Sequence, residues 1–311
     1  MTIRRILAVL CMCCASVATY AASPYMPTFT GTFRGFFEQS TYDGSSRFMV
    51  RNARVAATGA PVDFLEYKIQ LDLYDRGKFK VNDVYVSVLP CKGLKFSVGQ
   101  QRVPFSIGAS RSTHLRPFLN RSFVGKHTAN LRSMGLKAAY DIRPLRTTLE
   151  AGIFNGTDDQ SVWHKGEWVY SVKATCRPAN GISPALAFMS RVIDKDRINI
   201  CDASFTYDLG SWFVEAEGAY VRWSGRDSWQ WNAAAQYRMK IRSRMANRLS
   251  FEGRFDGTND GPDGLRSMRR ITAGTTVSYV AAKFHADIKI NYEQYFPAEG
   301  SRIAAGIILH F

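Results

Sequence analysis

Acidic residues are missing from a long interior stretch of this chain. Between Asp83 and Asp141 there is no aspartate or glutamate, while Lys92, Lys95, Arg102, Arg111, Arg116, Arg121, Lys126, Arg132 and Lys137 fall in that interval. Cysteine is sparse as well. Of the 6 cysteines, Cys11, Cys13 and Cys14 lie in the first 21 residues, leaving Cys91, Cys176 and Cys201. An odd and widely spaced set argues against a disulfide scaffold. The 5 histidines and these three cysteines have no metal-ligand spacing, so neither a metal nor another cofactor is expected. No nucleophile accompanies His285 and Asp287, and the i, i+2 spacing of that pair is expected to be too wide for a firm hydrogen bond, so the sequence does not read as an enzyme.

Long apolar runs are the remaining absence. The N-terminus carries Arg4 and Arg5, an apolar run from Ile6 to Val17, and small residues to Ala21, the order of parts in a secretory signal peptide spanning residues 1–21. That run is short of the roughly 20 residues a spanning helix requires, and beyond it no 18-residue apolar segment occurs, which excludes a helical membrane fold. The formal net charge is +15, of which Arg4 and Arg5 supply two, leaving +13 for residues 22–311. Export and the lack of a nucleic-acid motif make nucleic acid a poor partner for that charge. Anionic solutes and anionic membrane surfaces remain.

What the chain has in abundance is two-residue alternation. In Leu65-Glu66-Tyr67-Lys68-Ile69-Gln70-Leu71-Asp72-Leu73 every odd position is apolar and every even one polar, and the same pattern recurs at 229–238 and 283–292. Segments of about 9 to 11 residues, apolar on one face and polar on the other, are what a membrane β-barrel needs. Sixteen such segments begin near residues 29, 48, 64, 79, 94, 131, 145, 168, 185, 198, 212, 229, 249, 271, 283 and 303. The connections alternate long and short, with Pro90-Cys91-Lys92-Gly93 and Asp208-Leu209-Gly210 among the short ones. Two junctions fit less well: Ala281-Ala282 has no turn residue, and Ile241 to Asn247 is long for a periplasmic turn. Aromatics gather near the segment ends, Tyr140, Tyr207, Trp212 and Tyr237 at one side, Trp168, Tyr220, Trp229 and Tyr292 at the other. The fold class expected is all-β: a transmembrane antiparallel barrel of about sixteen strands. The chain ends Ile303-Ala304-Ala305-Gly306-Ile307-Ile308-Leu309-His310-Phe311, in which alternate apolar positions run to a terminal aromatic. Leu309 and Phe311 are therefore the candidate insertion signal for an outer-membrane assembly machinery.

The segments Glu66 to Asp72, Asp83-Val84-Tyr85-Val86 and Gly93 to Ser106 resemble successive signatures of the phosphate-selective porins of the O and P type, and Arg132-Ser133-Met134-Gly135 and Phe154-Asn155-Gly156 are similar to later ones. That resemblance implies a sixteen-stranded barrel in the outer membrane of a Gram-negative bacterium, often a homotrimer, with a third outer loop folded inward and basic residues guiding small anions. The third outer connection is the acid-free stretch. Arg102, Arg111, Arg116, Arg121, Lys126 and Arg132, with Lys95 and Lys137 on the adjoining strands, are the candidate anion-guiding residues, and nothing acidic within the loop offsets them. The lumen wall itself reads as mixed, with Lys68, Arg146, Lys173, Arg238, Arg254, Arg270, Lys283 and Lys289 facing Glu66, Asp72, Glu150, Asp202, Glu215, Glu217, Glu252 and Asp287. The expected function is passive diffusion of small anions, including phosphate-bearing ones. The alternative is a structural or surface-binding barrel without an open pore, its basic loop facing membrane lipid and lipopolysaccharide.

Overall fold

The computed structural model describes residues 26–128, 131–156, 166–193, 195–261, 266–297 and 300–311. The expected signal peptide, and most of the connection expected between Asn155 and Gly166, lie outside the described residues. The strands are β1 (Thr28–Ser40), β2 (Ser46–Val62), β3 (Leu65–Asp75), β4 (Lys78–Cys91), β5 (Leu94–Arg102) and β6 (Arg132–Ile142). There follow β7 (Thr147–Phe154), β8 (Val169–Cys176), β9 (Ile182–Ile193), β10 (Asp196–Leu209) and β11 (Trp212–Trp223). The last five are β12 (Arg226–Lys240), β13 (Arg248–Thr258), β14 (Met268–Val280), β15 (His285–Phe296) and β16 (Ser301–His310). Each pairs antiparallel with its sequence neighbours, and β1 pairs with β16 to close the barrel. Closure leaves no unpaired strand edge, the condition for crossing a bilayer with strands. No helix among the described residues is long and apolar enough to cross a membrane.

The alternation seen in sequence becomes two faces. Along β10, Ile198, Ile200, Asp202 and Ser204 are buried while Asn199, Cys201, Ala203 and Phe205 are exposed on the outside. The outer belt is apolar, with Leu186 66% and Ile288 56% exposed, as a surface solvated by lipid chains should be. Its margins carry cross-strand aromatic pairs, Trp212 with Tyr237 at 4.9 Å and Tyr220 with Trp229 at 4.7 Å, at opposite ends of β11 and β12.

The short turns follow their residues. Gly93 adopts φ +92°, in the left-handed region where glycine has no Cβ to clash. The Ala281-Ala282 junction is a tight turn closed by Ala281 N–H donating to Phe284 O at 2.8 Å, with β15 beginning at His285. Lys283 therefore lies in that exposed turn and not on the lumen wall. Arg146 is displaced likewise: it is the left-handed residue, φ +47°, that ends the Arg143–Leu145 turn. The long 241–247 connection is closed by Ile241 N–H to Asn247 O at 3.1 Å, and the Asn247 side chain donates to Val280 O at 2.7 Å.

Candidate functional site

The segment joining β5 to β6 is tied to the barrel wall along its length. Ser106 caps the short helix α1 (Ile107–Ser110), its hydroxyl accepting from Ala109 N–H at 3.1 Å. Glu217 on β11 accepts from the Ser106 hydroxyl and, at 2.9 Å, from Ile107 N–H. Farther along, Leu119 N–H donates to Asn291 Oδ1 at 2.8 Å and Phe123 N–H to Asp256 Oδ2 at 3.0 Å. Wall cations hold the loop carbonyls: Lys289 Nζ donates to Arg116 O at 2.6 Å, Arg254 to Asn120 O at 2.9 Å and Arg270 to Arg121 O at 2.7 Å.

A dry cluster adds to these bonds. Val103, Phe105, Ala109 and Val124 of the loop bury against Phe154, Val169, Met189, Ile198, Ile200 and Val221, which sit on the inward face at one end of β7 to β11. On the opposite wall Leu119 packs with Phe36, Ala304 and Ile308. The inward face is thus polar over most of the barrel but apolar where the loop docks, a departure from the all-polar lumen that alternation alone suggests.

Two large cavities lie inside the barrel among the described residues. One of about 810 Å3 is lined by Arg34, Arg51, Arg54, Arg116, Arg121, Lys126, Arg270 and Arg302, with Glu38 and Asp75 as its acids. The other, about 710 Å3, is lined by Arg54, Lys68, Arg102, Arg111, Lys137 and Lys173, with Asp83 and Glu150. Arg54 and Thr113 border both, which places them where the two spaces meet.

The candidate cations divide into two groups. Arg111 ion-pairs with Glu215, Arg132 with Asp83 at 2.8 Å, Lys95 with Glu66, and Lys137 with Glu150 at 3.6 Å. The expectation that nothing offsets the loop's charge holds within the loop sequence and fails in space, because acids on neighbouring strands reach across. Lys95 borders neither cavity. Arg102 is turned to structural use, donating to Ala109 O at 2.7 Å and Ser110 O at 2.5 Å. Arg116 donates to Arg111 O at 3.2 Å, Arg121 to Gly125 O at 3.4 Å, and Lys126 is exposed to the larger cavity.

Three arginines that matter were not among the candidates. Arg34 donates to Asn52 Oδ1 at 3.1 Å and Leu119 O at 2.8 Å, Arg54 pairs with Asp72 at 2.6 Å, and Arg51 lines the larger cavity. Parity could have found the first two, since Arg34 alternates with Phe33 and Gly35, and Arg54 with Ala53 and Val55. The positive groups depress one another. Burial, then Arg132, Arg54 and Arg51, lower Arg121 to about 10. Burial, then Arg121, Arg34 and Arg102, lower Arg116 well below the ordinary arginine value. Lys126 is lowered by burial and by Arg270. Crowded like charges of this kind gain free energy from any anion that enters.

His285 Nε2 lies 2.7 Å from Asp287 Oδ1, so the pair expected to be too far apart is hydrogen-bonded. The imidazole reaches the carboxylate two residues farther along its own strand. Its neighbours are the His114 ring at 6.0 Å and Lys289, which pairs with Asp287 at 3.2 Å.

A closed sixteen-stranded barrel with a wall-anchored third loop and an arginine-lined interior is the architecture of an outer-membrane porin, a fold that points to a channel rather than an enzyme. The family model for the phosphate-selective porins O and P matches residues 29–187, just over half of the sequence, and the chain belongs to that family. Among solved structures it is similar to the anion-selective porin from Comamonas acidovorans, with TM-score 0.66 and 9% identity, covering 91% of this chain and 98% of that one. It is similar also to OmpF of Salmonella typhi, with TM-score 0.69, 14% identity and coverage of 94% and 99%. A third is the loop L8 deletion mutant of OmpT from Vibrio cholerae, with TM-score 0.65, 13% identity and coverage of 93% and 100%. At such identities these likenesses concern the fold. A search of curated proteins gives no match.

Proposed function

We propose that the protein is a passive, anion-selective pore, with the β5–β6 loop folded into the lumen as its constriction and phosphate-bearing solutes among the anions it admits. The observation that carries this reading is the meeting of two basic cavities at Arg54, with Arg34, Arg102, Arg116 and Arg121 close by. In a narrow, low-dielectric passage one sign of charge concentrates counter-ions, and guanidinium forks match the geometry of oxyanions. Family membership and the anion selectivity of the Comamonas porin agree with it. Reversal potentials in a salt gradient test it: a chloride-selective current, strongest in dilute salt and blocked by phosphate well below the chloride concentration, is expected. A cation-selective current would overturn the reading.

A second reading has an observation of its own. The dry packing of Val103, Phe105 and Val124 fills part of the interior, which would suit a closed structural or surface-binding barrel. Absence of single-channel current from correctly folded protein would favour it. Further proposals are export with cleavage after Ala21, assembly as a homotrimer, and contact with lipopolysaccharide. N-terminal sequencing of the exported protein checks the first, and the mass of the detergent-extracted particle the second.

A further inference from the structure

Behind the arginine-lined passage, between the loop and the wall, is a small separate chamber of about 30 Å3 whose lining includes Arg116, Glu215, Asn232 and Arg254. All four residues are more than nine-tenths buried, at 7%, 6%, 3% and 5% exposed. Each contributes one buried polar atom without a hydrogen bond: Arg116 Nε, Glu215 Oε2, Asn232 Oδ1 and Arg254 Nε. Two of these atoms have an ionic neighbour all the same. Glu215 Oε2 faces Arg111, and Arg254 Nε lies 3.3 Å from Asp256 Oδ1, neither in hydrogen-bonding geometry. The orientation of Asn232 is fixed by its other end, since Nδ2 donates to Glu215 Oε1 at 3.3 Å and the reverse placement would set oxygen against carboxylate.

Buried polar atoms without a hydrogen bond are costly and uncommon. Arg116 Nε and Asn232 Oδ1 have no hydrogen-bond partner, Glu215 Oε2 and Arg254 Nε have only an ionic neighbour, and the four residues line one chamber, which calls for an occupant. Its chemistry follows from theirs. Two of the atoms are N–H donors and two are acceptors. A halide could use the donors but would meet the carboxylate of Glu215, and a cation would meet the guanidinium groups. A molecule that accepts twice and donates twice meets all four. About 10 to 15 Å3 of free volume suffices for one water, so the chamber has room for one or two and none for a tetrahedral oxyanion.

We propose that this chamber is a hydration site in which one buried water accepts from Arg116 and Arg254 and donates to Asn232 and Glu215, linking the loop to β11, β12 and β13. The consequence falls on Arg116. With Nη2 donating to Arg111 O and Nε bonded to the water, two of the three guanidinium nitrogens are committed and the group is held in place beside the larger cavity that Arg116 also borders. Asn232 borders neither of the two large cavities, so its effect on permeation would be exerted through the water and Arg116. That functional half rests on the anion-passage reading; the hydration site itself does not.

A crystal structure of the wild-type porin at high resolution should show one ordered water within hydrogen-bond distance of the four atoms, and crystals grown in bromide should give no anomalous peak there. An unoccupied chamber, or a bromide peak in it, would overturn the site. Asn232→Leu removes one acceptor and should lose the water, whereas Asn232→Ser keeps an uncharged hydroxyl that can accept and should retain it. If the wild type is anion-selective, the leucine variant should move the reversal potential towards zero and the serine variant should move it less. Loss of the water with unchanged selectivity would disprove the positioning of Arg116, while a cation-selective wild type would count against the pore reading and leave the hydration site standing.

Discussion

A charged side chain influences a passing ion according to what already neutralises it. Arg121 borders the larger cavity, and its one hydrogen bond among the described residues is to a carbonyl, whereas Lys95 is matched by Glu66 and borders neither cavity. Arg121→Gln should therefore shift the reversal potential clearly towards zero, and Lys95→Gln should leave it nearly unchanged. Arg111, Arg116 and Arg121 all replaced by glutamine should abolish most of the anion preference and weaken phosphate block. A Lys95 variant with the larger effect would relocate the selective region. Nothing in the sequence distinguished these residues. The acid-free stretch was visible as composition, but Glu215 is more than a hundred positions from Arg111, and Asp83 nearly fifty from Arg132. Pairs at such separations are created by strand register, which alternation fixes only to within a residue or two. Arg34 and Arg54 were legible by parity, and their relation to the loop was not.

The loop is the element for which folding and function are the same question. Sequence marked it as a long aperiodic connection, and the sixteen strands were each legible to within about three residues, because period two survives wherever lipid lies on one side. Where the loop docks was hidden, since apolar residues such as Ile198 and Met189 on an inward face look identical in sequence to any other strand residue. Phe105 is 1% exposed, and its truncation to alanine should cost about 3–5 kcal/mol, seen as a lower unfolding temperature and noisier open-channel current with the sign of selectivity retained. Quiet current from a Phe105→Ala channel would mean that the apolar cluster does not hold the loop. A second tie titrates. The His114 ring stacks on His310 at 3.6 Å and meets His285 edge-on, with Asp287 and Lys289 also near. Burial, then His310 and His285, push His114 from 6.5 down to about 4. A loop free of the wall would take up its proton near 6.5, the docked loop only near 4. Docking is therefore favoured in full above about pH 6.5 and weakens as pH falls towards 4. Channel closures or noise should rise between pH 7 and pH 4.5 in the wild type and rise less in His114→Phe. An equal response in that variant would assign the pH effect to other groups.

Closing the barrel is a property of the whole molecule, because it joins residues almost three hundred positions apart. Phe311 is part of that seam: its carbonyl accepts from Gly31 N–H at 2.7 Å and its own N–H donates to Gly31 O at 3.1 Å. The Phe311 ring also covers Gly31 so closely that a Cβ there would lie 2.4 Å from it. The terminal aromatic expected from sequence to be an insertion signal thus has a structural role that sequence did not reveal. The two roles make different predictions. Deleting Phe311 removes two backbone hydrogen bonds and the ring, and should reduce heat-modifiable, folded protein in the outer membrane. Gly31→Val leaves the terminus chemically intact and displaces only the ring from the seam. If Phe311 acts mainly through the seam, both variants should refold poorly from urea into detergent micelles, where no assembly machinery is present. If it acts mainly as a recognition signal, the deletion should refold normally in micelles and fail only in cells, while Gly31→Val assembles in both. Normal amounts of folded deletion protein in cells and in micelles alike would remove both roles, and the closing pair of strands would then owe its stability to the register from Thr32 with His310 to Ser40 with Arg302.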